Sequence, residues 1–173
     1  MSELDEVLEI IDDNNNVVGS ALRRECYEKG LLHRAVNIFI FNSEGQVFLH
    51  KRSDKKFKFP SFWDLSCSEH VKPGESFEET AKRGLKEELN IEVDLEEIIP
   101  IHHIDSADER GEYHDNELVV TYKGTYDRDM RFDPNEVAEG KFFNIEELDK
   151  LIKNGEIQVT SWFLEDWKIL TDI

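Results

Sequence analysis

Several Glu side chains on one short helix can hold a divalent cation through oxygen, and such a group is present in this chain. The stretch GESFEETAKRGLKEELNI, residues 74–91, carries Glu75, Arg83, Glu87 and Glu88. Ser76 followed three residues later by Glu79 is a capping-box start, with Pro73 and Gly74 supplying the turn before it. Phe77, Ala81, Leu85 and Leu89 recur every fourth residue and share one helix face. At about 100° per residue, Glu88 falls on that apolar side and Glu87 on its flank. A carboxylate at the border of a buried stripe is costly unless it is paired or coordinates a metal. Arg83, four residues before Glu87, is the cation at hand. A solvated acidic helix is the plainer reading, and it leaves Glu88 without a reason.

A second set of residues suits phosphate. Lys51, Arg52, Lys55, Lys56 and Lys58 place five of the 21 basic residues within eight positions. In a chain of net charge −18 this run reads as a phosphate-binding loop, and on composition alone it reads equally as a solvated one.

The elements that must position these groups follow from pattern. Residues 7–11 and 17–21 are expected to form a hairpin across the Asn- and Asp-rich turn 12–16. Residues 23–29 form a short helix that Gly30 ends. Strands are expected at 35–41 and 46–51, then a loop with Pro60 and a short strand at 62–66. After the acidic helix, strands are expected at 98–104, 117–122 and 136–143, and helices at 145–154 and 160–170. Residues 105–114, polar and with Gly111, read as a mobile loop. Strands and helices mix without a strict βαβ rhythm, so the fold class is α/β (α+β) with a mixed central sheet flanked by helices. The expected organisation is one domain over 1–173, with its core at 31–155, the N-terminal hairpin at 7–21 and the C-terminal helix at 160–170.

The segment 69–91 resembles the Nudix box, G-x5-E-x7-R-E-U-x-E-E-x-G-U with U apolar. Glu75, Arg83, Leu85, Glu87, Glu88 and Ile91 match their places. Glu69 stands where the first Gly belongs, Gly84 where a Glu belongs, and Asn90 where the last Gly belongs. The resemblance implies a Nudix-like α/β/α sandwich. It also implies glutamates that bind Mg²⁺ or Mn²⁺ and a water that cleaves a diphosphate, with Arg83 on the substrate side.

From about residue 8 to 167 the chain looks closer to one branch, the type 1 isopentenyl diphosphate isomerases and their Nudix relatives. LLHRAV carries His33, and HKRSDKKFKFPSFW carries Arg52, Lys56 and Trp63. EHVKPGES carries His70, DNELV carries Asp115 and Glu117, and TSW carries Trp162. In the isomerases, three His and two acidic residues bind a metal near a Cys and a Glu that move protons. Carried onto this chain, the metal positions are Cys26, His33, His70, Asp115 and Glu117. Cys26 stands for a His, which tilts the site toward Zn²⁺. The proton-moving Glu maps to Glu117 and the proton-moving Cys to Ser68, with Cys67 one residue earlier. In an extended segment Cys67 and Ser68 face opposite ways, so only a bulge brings Cys67 into the site. Alternation puts Asp115 and Glu117 on one face of their strand, as joint metal binding requires. The resemblance further implies Arg52 and Lys56 as diphosphate-binding residues and Trp162 as a pocket wall whose ring faces a carbocation.

Three functions follow. The first expectation is metal-dependent hydrolysis of a small-molecule diphosphate of the nucleoside diphosphate-X kind, served by Glu87, Glu88 and Glu117. The alternative is isomerisation of isopentenyl diphosphate to dimethylallyl diphosphate. The third is a non-catalytic diphosphate-binding protein. The net charge argues against nucleic acid as a partner. No run of about 18 apolar residues suggests a membrane span, the N-terminus does not read as a signal peptide, and two cysteines suit the cytoplasm. Oligomeric state is left open.

Overall fold

The computed structural model describes residues 2–107 and 113–171. A single 3-10 turn, Glu3–Asp5, precedes the hairpin of β1 (Val7–Ile11) and β2 (Val17–Leu22), which forms its own two-stranded sheet. Helix α1 (Arg23–Lys29) stops at Gly30, whose φ of 61° is the left-handed conformation that glycine enters without penalty.

The main sheet is built around β3 (His33–Phe41). One edge of β3 pairs in parallel with β8 (His114–Thr125), which pairs antiparallel with β7 (Glu96–Ala107). Its other edge is shared. The end of β3 pairs with β4 (Val47–Arg52), and the start pairs with β6 (Cys67–His70). The far part of β4 pairs with β5 (Trp63–Asp64), and β9 (Val137–Phe143) covers its outer edge. β3 and β4 therefore diverge like a fork, with β5 and β6 between the tines. The sheet is mixed, as expected.

Side chains alternate through β3 and so sort two cores. Ala35 and Phe39 pack with Phe163 and Trp167 of α4 (Ser161–Thr171) and Leu148 of α3 (Ile145–Lys153). Val36, Ile38 and Ile40 pack with Ala81, Leu85 and Leu89 of α2 (Phe77–Leu89). Helices on both faces complete an α/β/α sandwich. Ser76 caps α2 with the reciprocal bond to Glu79 that the sequence indicates. Asn90 closes the helix at φ 53°, a conformation Asn tolerates better than other non-glycine residues, which accounts for its standing at a glycine place.

Two expectations on the elements change. β6 is a strand of its own, and the expected strand at 62–66 shrinks to Trp63–Asp64. β7 and β8 extend to Ala107 and His114, into the segment expected to be a loop; residues 108–112 of that segment lie outside the described residues. No helix among the described residues is long and apolar enough to cross a membrane.

Candidate active site

A cavity of about 300 Å³ opens at the fork between β4 and β6, and residues from both sheet faces reach it. On the α4 side stand two histidines and two carboxylates. Register explains their meeting. His33 lies beside Glu117 in the β3–β8 pair, and His70 sits across from Ala35 in the β3–β6 pair. Asp115 and Glu117 share a face two residues apart, as alternation requires. His33 Nε2 is 3.1 Å from Asp115 Oδ1 and 3.6 Å from Glu117 Oε1, and His70 Nε2 is 3.1 Å from Glu117 Oε1. One ligand atom from each of the four residues fits within a 4.8 Å span, and all four residues are buried.

This arrangement fits a metal ion. His33 Nδ1 bonds to the Leu31 carbonyl, which fixes that nitrogen as the donor and leaves Nε2 as a lone pair. Nε2 then faces Asp115 Oδ1, and both atoms are buried without a hydrogen-bond partner. Two acceptors 3.1 Å apart need a shared positive charge, either a proton on Nε2 or a metal ion that displaces it. Without the metal, burial acts to lower the His33 pKa, but Asp115 and Glu117 override it and push it up to about 10. Burial and Asp115 act to raise Glu117, and the two histidines prevail and bring it down to about 2. His70 is lowered, by burial first and then by the nearby Arg23 charge.

On the α2 side, Glu69, Glu87 and Glu88 line the same cavity. Glu88 is pushed up to about 8, by burial first and then by the charge of Glu69. Arg83 is not among the cavity-lining residues. Its guanidinium bonds to Glu75, Glu69, Glu87 and the His70 carbonyl, so its donors are committed to holding α2 against β6 rather than to a substrate.

The two cysteines also stand apart. The β3–β6 register runs unbroken through Ile38–Cys67 and Asn37–Ser68, so no bulge turns Cys67 inward. Cys67 is fully buried against α2, and burial and Glu88 hold its thiol well above its ordinary pKa. Cys26, fully buried on α1, is not one of the four converging residues, and burial pushes its thiol up to about 11. A protonated thiol is a poor metal ligand.

Ser68 does line the cavity. Its hydroxyl donates to Asn37 Oδ1 at 3.1 Å. Asn37 Nδ2 in turn donates to the fully buried Asp166 carboxylate at 2.8 Å, which fixes the orientation of the amide. Ser68 therefore keeps its proton on Asn37 and offers lone pairs to the cavity.

The basic wall is fixed by Asp64. This buried carboxylate accepts from Arg52 at 3.1 Å and from Trp162 Nε1 at 2.8 Å, and the Arg52 guanidinium lies 5.4 Å from the Trp162 ring centre. Lys56 reaches the cavity and bridges Glu3 and Glu136. Lys58 is the residue that sequence pattern does not single out from its basic run. Its buried ammonium pairs with Asp115 and lies 4.2, 4.9 and 5.2 Å from the ring centres of Tyr27, Tyr113 and Trp162. Burial acts to lower its pKa, but Asp115 prevails and raises it, so Lys58 is a fixed cation.

The NUDIX domain family model matches residues 31–163. An isopentenyl-diphosphate Delta-isomerase 2 of Photorhabdus laumondii is 32% identical over 161 residues, which cover 92% of this chain and 89% of that one. An isopentenyl-diphosphate Delta-isomerase 1 of Mus musculus is 35% identical over 192 residues, covering 98% and 82%. Among solved structures, a Deinococcus radiodurans protein superposes with a TM-score of 0.76 at 27% identity, covering 94% of this chain and 98% of that one. A MutT protein of Methanosarcina mazei, at 20% identity and covering 82% and 93%, has a TM-score of 0.63 and shows the shared fold. The names of the curated relatives favour the isomerase alternative over the first expectation of hydrolysis.

Proposed function

The chain is an enzyme of the NUDIX family, and from that premise we propose that it acts on a small-molecule diphosphate as an isopentenyl diphosphate isomerase. The observation that carries this reading is the buried set His33, His70, Asp115 and Glu117, four of the five positions at which the isomerases bind metal. These residues would hold a divalent ion: Zn²⁺ suits the two imidazoles, Mg²⁺ or Mn²⁺ the carboxylates. A bound ion would supply positive charge beside Glu117, keeping its carboxylate ionised. Arg52 and Lys56 bind the diphosphate, with Arg52 aimed by Asp64.

Isomerisation adds a proton at one end of the double bond and removes one from the carbon on the other side. Glu117 is ionised and takes the proton removed from carbon. Ser68 lines the same cavity, and because its own hydrogen is bonded to Asn37, the proton added to the double bond is drawn from solvent as hydronium along a water that donates to Ser68, and Glu117 then returns its proton to solvent. The test is product analysis with isopentenyl diphosphate. Dimethylallyl diphosphate that fails to form in Glu117→Gln supports the reading, and an unchanged substrate pool overturns it.

Two observations favour a second reading, cleavage of the diphosphate. Ser68 lacks the acidity of a thiol, and its lone pairs suit an attacking water. The Lys58 ammonium already lies against the Trp162 ring, a place that suits an anionic substrate group better than a carbocation. In this reading Glu87 and Glu88 would hold the metal and the bond broken is a phosphoanhydride. Release of a phosphate or nucleoside monophosphate from a nucleoside diphosphate panel, lost in Glu88→Gln, identifies it.

A further inference from the structure

The chain departs from the Nudix pattern at two places that exchange residue types. Where the pattern has glycine the chain has Glu69, and where the pattern has glutamate it has Gly84. They are 15 positions apart in sequence and touch in space. A Cβ built on Gly84 would lie 2.7 Å from Glu69 Cγ and 3.0 Å from Cys67 Sγ. The space a side chain at 84 would fill is therefore taken by the stem of Glu69, which enters it from β6 instead of from α2. Gly84 is buried in mid-helix, where glycine costs about 1 kcal/mol relative to Ala, and the Glu69 and Cys67 side chains occupy the place a side chain would take.

The carboxylate follows its stem. Glu69 lines the cavity with Glu87 and Glu88, and its charge acts on Glu88. Arg83 binds Glu69 Oε2, so the group is anchored by the same guanidinium that the Nudix pattern places just before the helical glutamate. The number of carboxylates is kept, and the Glu69 side chain lines the same cavity as Glu87 and Glu88.

We propose that Glu69 supplies, from the strand, the metal-binding carboxylate that the Nudix pattern carries on the helix at position 84. Glu69 is then a ligand for a hard divalent cation alongside Glu87 and Glu88, and Gly84 is the vacated place that lets it in. The inference rests on family membership and not on which bond the enzyme changes.

The test reads Mn²⁺ binding to the full chain without substrate, from the electron paramagnetic resonance signal of free Mn²⁺. Glu69→Gln keeps the shape and removes the charge. The expected result is that one class of Mn²⁺ sites weakens about tenfold or more while the circular dichroism melt stays cooperative. A native-like binding curve for a folded Glu69→Gln overturns the proposal. The triple variant Glu69→Gly/Gly84→Glu/Cys67→Ala returns the carboxylate to the helix and clears the Sγ contact. It is expected to regain the lost class, and a folded triple variant that stays weak also overturns the exchange. Glu117→Gln, which alters the His33 cluster instead, marks the other class. Failure of the proposed reaction shows only in the product assay, so the two outcomes stay distinct.

Discussion

Position 68 shows how one atom's hydrogen bond can decide a chemistry. A Ser hydroxyl whose proton is committed to Asn37 cannot also deliver it to a substrate. Ser68→Cys puts a thiol, with an ordinary pKa near 8.5, on the same wall. Isomerisation is expected to rise by about 10²-fold or more, read as initial rate by proton NMR. No rise would mean that proton transfer at this wall does not limit the reaction. Glu88 offers a test by pH. Its folded pKa of about 8 lies above its ordinary 4.5, so between those values the folded protein binds more protons than the unfolded one. Stability of the metal-free protein should fall as pH rises through that window, and Glu88→Gln should flatten the slope in urea melts with chelator present. An equal slope in the variant would assign the trend to another group. The sequence marks Glu88 through its helix face, and it marks Ser68 and His70 only through resemblance. It does not mark Lys58, because the Asp115 that holds it is 57 residues away and a run of five cations has no internal signal for which one turns inward.

At the scale of elements, the fork between β3 and β4 creates the site. Asp64 on β5 is the tie across it. Besides Arg52 and Trp162, it accepts from Thr160 at 2.9 Å, so one carboxylate joins the short strand to the start of α4. Asp64→Ala strands the half-buried Arg52 cation and unties Trp162. A loss of about 3–5 kcal/mol is expected in chemical denaturation, together with weaker diphosphate binding. A loss below about 1 kcal/mol would show the tie to be dispensable. Helices α1 and α2 are legible in the sequence because their stop and start signals, Gly30 and the Ser76–Glu79 box, are local. β6 is not, since Cys-Ser-Glu-His has no apolar alternation and becomes a strand only by pairing with β3. The same strand carries Ser68, Glu69 and His70, so the part of the site least visible as an element is the part richest in chemistry.

Taken whole, the molecule has net charge −18, and its cavity sets Arg23, Arg52, Lys56 and Lys58 among a larger number of carboxylates, so an anionic substrate there needs a bound cation as well as these side chains. Because the His33 cluster gathers two imidazoles and two carboxylates within 4.8 Å, a divalent ion that displaces the His33 proton should stabilise the fold as a whole. At about 100 times its dissociation constant the gain is about 2.7 kcal/mol, read as a rise in melting temperature, and chelation reverses it. His33→Ala should remove most of the rise produced by Zn²⁺, and an undiminished rise would place that ion elsewhere. The most direct test of the account is one NMR experiment on the Mg²⁺- or Mn²⁺-loaded protein with isopentenyl diphosphate, recording proton and phosphorus spectra together. Dimethylallyl methyl signals should grow while the diphosphate resonances are conserved, and should be absent in Glu117→Gln. Phosphate release without those methyl signals would contradict it.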